Sequence, residues 1–251
     1  MLRRKKNEVL KDLPEKTTLI ESADMPTDQH SFYRELRNRY RDLFVEDIGT
    51  HGKLNPIVLL KGLMKLRQAA NHPVLVDSDY NSDSGKYNSV CLKINKIVAK
   101  KSKVLIYSRF VEHLKLYKTF LDANDIKYCY LDGSTKDRQF QTETFQTNPN
   151  YHVFLLSLKA GGTGLNLTAA EYVFMLDPWW NPAAENQAFD RAHRIGQTKN
   201  VFVYKFITKN SIEEKIIALQ NEKTELFEKM IENNNLIADI SVDQIMALIA
   251  D

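Results

Sequence analysis

The sequence predicts an α/β fold, a parallel sheet with helices on both faces, preceded by a helical segment and followed by further helices. Two observations carry that expectation. From about residue 90 onward, short β-like runs recur at Val104–Tyr107, Tyr128–Leu131, Val153–Leu156, Tyr172–Leu176 and Val201–Tyr204. Helical stretches lie between most of them, Val111 to Ala123 and Asp137 to Phe145 among them, and this alternation builds a sheet buried on both sides. Right-handed crossovers place the loop after each strand along one edge of the sheet, where ligands of such folds sit. Candidate chemistry is therefore expected just past each strand.

The first 88 residues read as helical and irregular. Thr27 is placed to cap a helix running to about Glu46, because Phe32, Leu36, Tyr40, Leu43 and Phe44 return at helical spacing. Gly49, Gly52 and Pro56 are expected to break it. A second apolar run from Ile57 to Ala70 stops at Asn71-His72-Pro73, where the proline disfavours helical geometry in the residue before it. Ser78 to Ser89, rich in Ser, Asp, Asn and Gly, reads as a loop. Beyond the last strand run, Ser211-Ile212-Glu213-Glu214 has the form of a capping box opening a helix through about Asn233, and Ser241-Val242-Asp243-Gln244 opens a short final helix. The expected division is thus residues 1–88, 89–209 and 210–251.

With 43% apolar residues, the 251-residue chain can build an ordinary core. No stretch approaches the ~18 consecutive apolar residues of a spanning helix, and the basic opening Met1-Leu2-Arg3-Arg4-Lys5-Lys6 lacks the apolar run of a secretory signal. Cys91 and Cys129 form no CxxC pair and the six histidines are dispersed, which excludes the usual zinc and redox motifs and suggests a reducing, intracellular setting. The net charge of +3 says little about partners. Lys93, Lys96, Lys100, Lys101 and Lys103 come without an intervening acid, a pattern shared by polyanion surfaces and solvated helix faces.

Two segments concentrate chemistry. After the run ending at Leu156 comes Ser157-Leu158-Lys159-Ala160-Gly161-Gly162-Thr163-Gly164-Leu165-Asn166, in which the glycines let backbone N–H groups approach an anion closely. Leu167 stands where a dinucleotide fingerprint needs its third glycine, so an oxidoreductase fails, and no GxxxxGK[ST] phosphate loop occurs. The second segment is Gln187-Ala188-Phe189-Asp190-Arg191-Ala192-His193-Arg194-Ile195-Gly196-Gln197. On a helix, Gln187, Arg191 and Arg194 share one face, with Gly196 as C-cap. Such a stripe is either an ion-pair face with Glu185 and Asp190 or a clamp on phosphate oxygens, which arginine binds bidentately.

The spelling Gln-Ala-x-x-Arg-Ala-His-Arg-Ile-Gly-Gln closely resembles motif VI of the SWI/SNF-type DNA translocases of helicase superfamily two. Other blocks agree in order. Leu2 to Pro14 resembles the segment joining the two motor lobes, and Leu66 to Pro73 the asparagine-histidine-proline block. Lys103 to Phe110 is similar to motif IV, Leu131 to Thr135 to the next block, Ser157 to Leu167 to motif V, and Asp177-Pro178-Trp179-Trp180-Asn181-Pro182 to the tryptophan-asparagine-proline loop. The resemblance covers about residues 2 to 217, and two of its spellings look most like the prokaryotic branch, which leaves chromatin remodelling open as a role.

That resemblance implies the second of two RecA-like lobes, working on ATP with Mg²⁺ held mainly by a first lobe that these residues do not include. Arg191 and Arg194 are then arginine fingers and Gln187 couples the nucleotide to the neighbouring lobe, while Gly161, Gly162, Gly164 and Asn166 lie on the nucleotide side of motif V. Ser108, Arg109, Gly133, Ser134, Thr135, Ser157 and Lys159 correspond to contacts on one strand of double-stranded DNA, with Trp180 and Asn181 beside it. Arg109 departs from the glutamine common in that family, keeping a donor and adding charge. Localisation would be cytoplasmic, at the nucleoid, in a prokaryote and nuclear in a eukaryote. The alternative is a nucleic-acid- or partner-binding module that kept the fold without the motor, against which both arginines speak.

Overall fold

A computed structural model describes residues 13–52, 55–161, 164–178 and 182–221. The chain divides into two compact units, one of residues 1–21, 90–176 and 183–206, the other of residues 22–89, 177–182 and 207–251. The units interleave along the chain, where the sequence had suggested three consecutive spans. Among the described residues no helix is long and apolar enough to cross a membrane.

The first unit is built on a six-stranded sheet of β1 (Lys16–Ala23), β2 (Val104–Ser108), β3 (Tyr128–Leu131), β4 (Val153–Ser157), β5 (Tyr172–Met175) and β6 (Val201–Thr208), in the order β1-β6-β5-β2-β4-β3. The pairs β2–β4, β2–β5, β3–β4 and β5–β6 are parallel. The expected runs all became strands. Every residue of β2 and β4 is buried, as a sheet covered on both faces requires. Successive side chains alternate between faces. Leu105, Tyr107, Phe154, Leu156, Val173 and Met175 pack on one side with Phe145, Ala160, Ala188 and Phe189, which come from α5 (Arg138–Thr147), α6 (Leu158–Gly161) and α7 (Pro182–Phe189). Val104, Ile106, Val153 and Leu155 point the other way and are equally buried. Against β2 and β4 packs α4 (Val111–Ala123), with Leu114, Tyr117 and Leu121 inward.

Strand β1 departs from the helical reading of the first 88 residues. Lys16-Thr17-Thr18-Leu19-Ile20 carries a β-branched run, and the backbone bond from the Val201 N–H to the Glu15 carbonyl (2.9 Å) pairs it with β6 at the sheet's edge. The lysine run also turns out to be partly committed. Lys93 pairs with Glu21 at 2.7 Å and sits 3.7 Å from the Tyr204 ring centroid, while Lys103 donates to the Phe145 and Asn148 carbonyls at the end of α5. Both cysteines are free and buried, and burial pushes the Cys129 thiol up to about 11.

The second unit is helical. It contains α1 (Thr27–His51), α2 (Pro56–Asn71) and α8 (Ile212–Asn221), whose Tyr33, Phe44, Leu59, Leu63, Leu66, Ile212 and Ile216 form one core. Thr27 is the first helical residue after Pro26, and α1 runs through Gly49 to Gly52, whose left-handed φ of 70° ends it. At Gly62 an added Cβ would lie 2.5 Å from the Phe44 ring, so α1 and α2 approach closely there. Gln29, fully buried, donates to the Ala69 and Ala70 carbonyls at the end of α2. Residues 85–89, expected in a loop, open α3 (Gly85–Ala99), and Ser84 fixes that start by donating to the Asn71 carbonyl at 2.7 Å. At the start of α8, Ser211 Oγ accepts from the Glu213 N–H and Glu214 accepts from the Asn210 N–H, one residue earlier than a capping box predicts. The helices expected beyond Asn221, toward Asn233 and from Ser241, lie outside the described residues.

Candidate functional site

All described candidate residues belong to the unit built on the sheet, and they fall into two groups. The first occupies the carboxyl edge. Parallel register puts Ser108 opposite Ser157 and Leu131 opposite Leu156, so the loops after β2, β4 and β3 leave three adjacent strands side by side. Neighbouring strands lie about 4.8 Å apart, which spreads these loops over roughly 10 Å.

The three loops are shaped from within. Ser108 is fully buried, and its hydroxyl accepts from the Phe110 N–H at 3.0 Å, closing a turn that leaves Arg109 exposed. Ser157, also buried, accepts from the Ala160 N–H at 3.3 Å and opens α6, leaving Lys159 exposed. Ser108 and Ser157, which the resemblance assigns to DNA contact, are thus buried at the strand ends, and they position the cations that follow them. After β3, Asp132 accepts from the Ser134 N–H (2.8 Å) and hydroxyl (2.7 Å) and from the Tyr130 hydroxyl (3.0 Å), while Thr135 Oγ1 accepts from the Asp132 N–H (2.9 Å). Burial raises the Asp132 carboxyl, but the Ser134, Tyr130 and Thr135 donors outweigh it and hold the group below its ordinary value. The loop therefore keeps a fixed anion at its base and presents Gly133 and Ser134 outward, with Thr135 half-buried. Asp132 was missed as a site residue, although an Asp two positions before a Ser is the sequence sign of such a turn.

The second group joins the glycine segment to the arginines. The Leu167 N–H donates to the Arg191 carbonyl at 3.0 Å, so the stretch after Gly164 runs against the arginine segment. Gly164 has φ 55° and Gly196 φ 99°, left-handed conformations that favour glycine, and Thr168 Oγ1 lies 4.0 Å from where a Gly196 Cβ would stand. Gly161 packs on Tyr107, whose ring an added Cβ would approach to 2.7 Å. Gly164 and Asn166 are exposed.

The arginines do not share a helix with Gln187. Helix α7 stops at Phe189, and the chain turns through Asp190 to Gly196 on short-range bonds such as Arg191 N–H to Ala188 O (3.2 Å) and Gln197 N–H to Arg194 O (2.9 Å). Two side chains hold the turn from inside. Gln197 donates to the Ala170 and Ala192 carbonyls, and His193 Nε2, 2.7 Å from the Pro14 carbonyl, must carry its proton there because that oxygen only accepts. Both signals stood in the sequence, but a helical period hid them. The result is that Gln187 and Arg194 are exposed and Arg191 half-buried. Glu185 is buried and pairs with Lys205, so it is no partner in a surface ion-pair face.

These groups fit the oxygens of a polyanion, with guanidinium, amide and backbone donors on open faces. No cluster of three His, Cys, Asp or Glu side chains suited to a metal occurs among the described residues. Gly162, Trp180 and Asn181 lie outside the described residues.

The family "Helicase conserved C-terminal domain" matches residues 86–196, and "SNF2-related domain" matches residues 1–75. An uncharacterized ATP-dependent helicase of Mycoplasma genitalium is 36% identical over 253 residues, covering 99% of this chain and 24% of the relative. The chain thus spans about a quarter of that relative's length. Among solved structures, the C-terminal part of the Fun30 ATPase domain superposes with a TM-score of 0.74 at 28% identity, covering 94% of this chain and 98% of that one. The SWI2/SNF2 ATPase core of Sulfolobus solfataricus in complex with dsDNA gives 0.76 at 29% identity, covering 98% of this chain and 53% of that one.

Proposed function

Because this chain belongs to the SWI/SNF-type family of helicase-like ATPases, we propose that it is the second RecA-like motor lobe of an ATP-dependent double-stranded DNA translocase. The observation that supports this best is the bond from the Leu167 N–H to the Arg191 carbonyl. It ties the glycine segment, which also carries Lys159 at the sheet's edge, to the turn that presents Arg194, so one short path links a phosphate track to a charge clamp.

The chain's own groups divide the work. Arg194, exposed, and Arg191, half-buried, bring positive charge to an anion held by the first lobe. Phosphoryl transfer is catalysed mainly by positioning and electrostatics, for which a fixed guanidinium is suited. Gln187 adds an amide on the adjoining helix. ATP, with Mg²⁺ held mainly by the first lobe, would supply the transferable phosphoryl group. Arg109, Gly133, Ser134 and Lys159 hold the backbone of one DNA strand through side-chain and backbone donors, a mode that positions a duplex without reading its sequence.

The test joins this chain to a first motor lobe and measures phosphate release with and without duplex DNA. DNA-stimulated release from the joined protein, and none above background from these 251 residues alone, is the expected result. Stimulation that is absent in a folded, DNA-binding fusion leaves only a binding module.

Salt titration addresses the DNA track separately. Duplex affinity is expected to be nearly indifferent to sequence and to fall with salt at a log-log slope near 0.9 per phosphate neutralised. Lys159→Ala, at an exposed site, removes one such contact and flattens the slope by up to about one unit. An unchanged slope in the variant takes Lys159 off the track.

A further inference from the structure

Tyr107 is the penultimate residue of β2, the strand that lies between β4 and β5 in the sheet. Its side chain is fully buried on the face that carries Leu105, Leu156 and Met175, in one core with Ala160, Leu167 and Ala192. The ring lies against Gly161, where an added Cβ would come within 2.7 Å of Cε1 and 3.5 Å of Cδ1. Cε1 neighbours the carbon that bears the hydroxyl, so it is the hydroxyl end of the ring that abuts the end of α6. That hydroxyl meets no hydrogen-bond partner among the described residues. A buried hydroxyl left unpaired costs stability that a phenylalanine of the same shape avoids, so its presence calls for a role.

Arg191 supplies one. Its carbonyl accepts from the Leu167 N–H at 3.0 Å, which brings the arginine segment against the stretch after Gly164. Its charge also reaches the phenol: burial raises the Tyr107 hydroxyl above the ordinary tyrosine value, and Arg191 opposes that shift. A guanidinium carries five N–H donors in a rigid fork, so it can donate to a phenol oxygen and still present other donors to an anion. A bond of this kind fixes the direction of a long side chain, and a preorganised charge is what stabilises a transition state best.

We propose that Tyr107 is a positioning residue for Arg191: when an anion engages the arginine segment, the Tyr107 hydroxyl accepts from the guanidinium and fixes its direction. The effect on turnover rests on the motor reading, whereas the effect on anion binding does not. Two measurements on Tyr107→Phe test the proposal. In the chain joined to a first motor lobe, DNA-stimulated hydrolysis falls about ten-fold or more, the size of a lost bond to a charged group, with the KM for ATP nearly unchanged. That loss vanishes in an Arg191→Met background, where no guanidinium is left to position. In the 251-residue chain alone, pyrophosphate raises the melting temperature above that in sodium chloride of equal ionic strength. Tyr107→Phe removes most of that rise, yet without pyrophosphate it melts no lower than wild type. If the wild-type joined protein shows no DNA-stimulated turnover, the motor reading fails and the pyrophosphate measurement decides on Tyr107. The proposal is overturned by a pyrophosphate rise that is absent in the wild type or undiminished in Tyr107→Phe, or by full stimulated turnover in that variant. It is equally overturned by a turnover loss that persists in Arg191→Met, or by a Tyr107→Phe chain that melts several degrees lower, the sign of a buried structural partner.

Discussion

Arg194→Ala is expected to lower DNA-stimulated ATP hydrolysis by about 10³-fold or more in the two-lobe protein, with nucleotide affinity nearly unchanged. A loss of that size is about 4 kcal/mol of transition-state stabilisation. It is larger than anything an exposed ion pair provides, since such pairs contribute ~0–1 kcal/mol to folding and nothing to turnover. The geometry makes Arg194 the cleaner probe of the two arginines. It is exposed, and the turn that carries it is held by Gln197 and His193, not by the guanidinium. Arg191 is half-buried, so its removal is expected to mix a catalytic loss with a structural one. Single-turnover hydrolysis with saturating ATP and DNA, beside a melting curve, separates the two. Normal turnover in a folded Arg194→Ala protein rejects the charge-clamp role.

The sheet was legible because its central strands are apolar throughout and the segments between them keep helical spacing. Parallel pairing then fixed which ends of the strands gather, and with them the positions of Ser108, Leu131 and Ser157. Strand β1 was not legible. It is a partly exposed edge strand, Lys16–Ala23, with little apolar continuity, and its pairing with β6 joins residues some 185 positions apart in the sequence, as Val201 and Glu15 show. The arginine segment failed for a different reason. Spacings of three and four satisfy a helix, yet the carbonyls of Ala192 and Ala170 find a partner in Gln197, and tertiary hydrogen bonds override the local period. At the carboxyl edge the sequence placed the residues at the strand ends but did not disclose their hydrogen bonds. Ser108 and Ser157, which the resemblance assigns to DNA contact, each accept from the next turn of backbone, a bond that depends on the local turn and is not written in the spacing.

Nothing in the sequence pointed to the largest stability effect expected here, which belongs to Glu213. Lys86 is fully buried, and its ammonium donates to both Glu213 oxygens, at 2.7 and 2.6 Å, and to Asn71 Oδ1 at 2.8 Å. Burial alone pulls the Lys86 ammonium below its ordinary value, and the facing carboxylate opposes that shift. Glu213 also accepts from the Thr208 N–H at 2.8 Å, so it joins α3, α8 and the end of β6 within the helical unit. Breaking a buried pair by removing one partner costs about 3–5 kcal/mol, because the remaining charge keeps its desolvation penalty. Glu213→Ala is expected to cost that much and to leave the Thr208 N–H without its acceptor. At ~2–4 °C per kcal/mol for a chain of this size, the midpoint of thermal unfolding falls by roughly 6–20 °C. Lys86→Met in the same background is expected to recover part of the loss, since it removes the stranded ammonium. The double-mutant cycle of Lys86→Met and Glu213→Ala should therefore show a coupling of about 2–3 kcal/mol, within the range for contacting groups. Single losses that simply add, each below about 1 kcal/mol as for exposed pairs, would mean that water reaches the pair and that it does not hold the helical unit together.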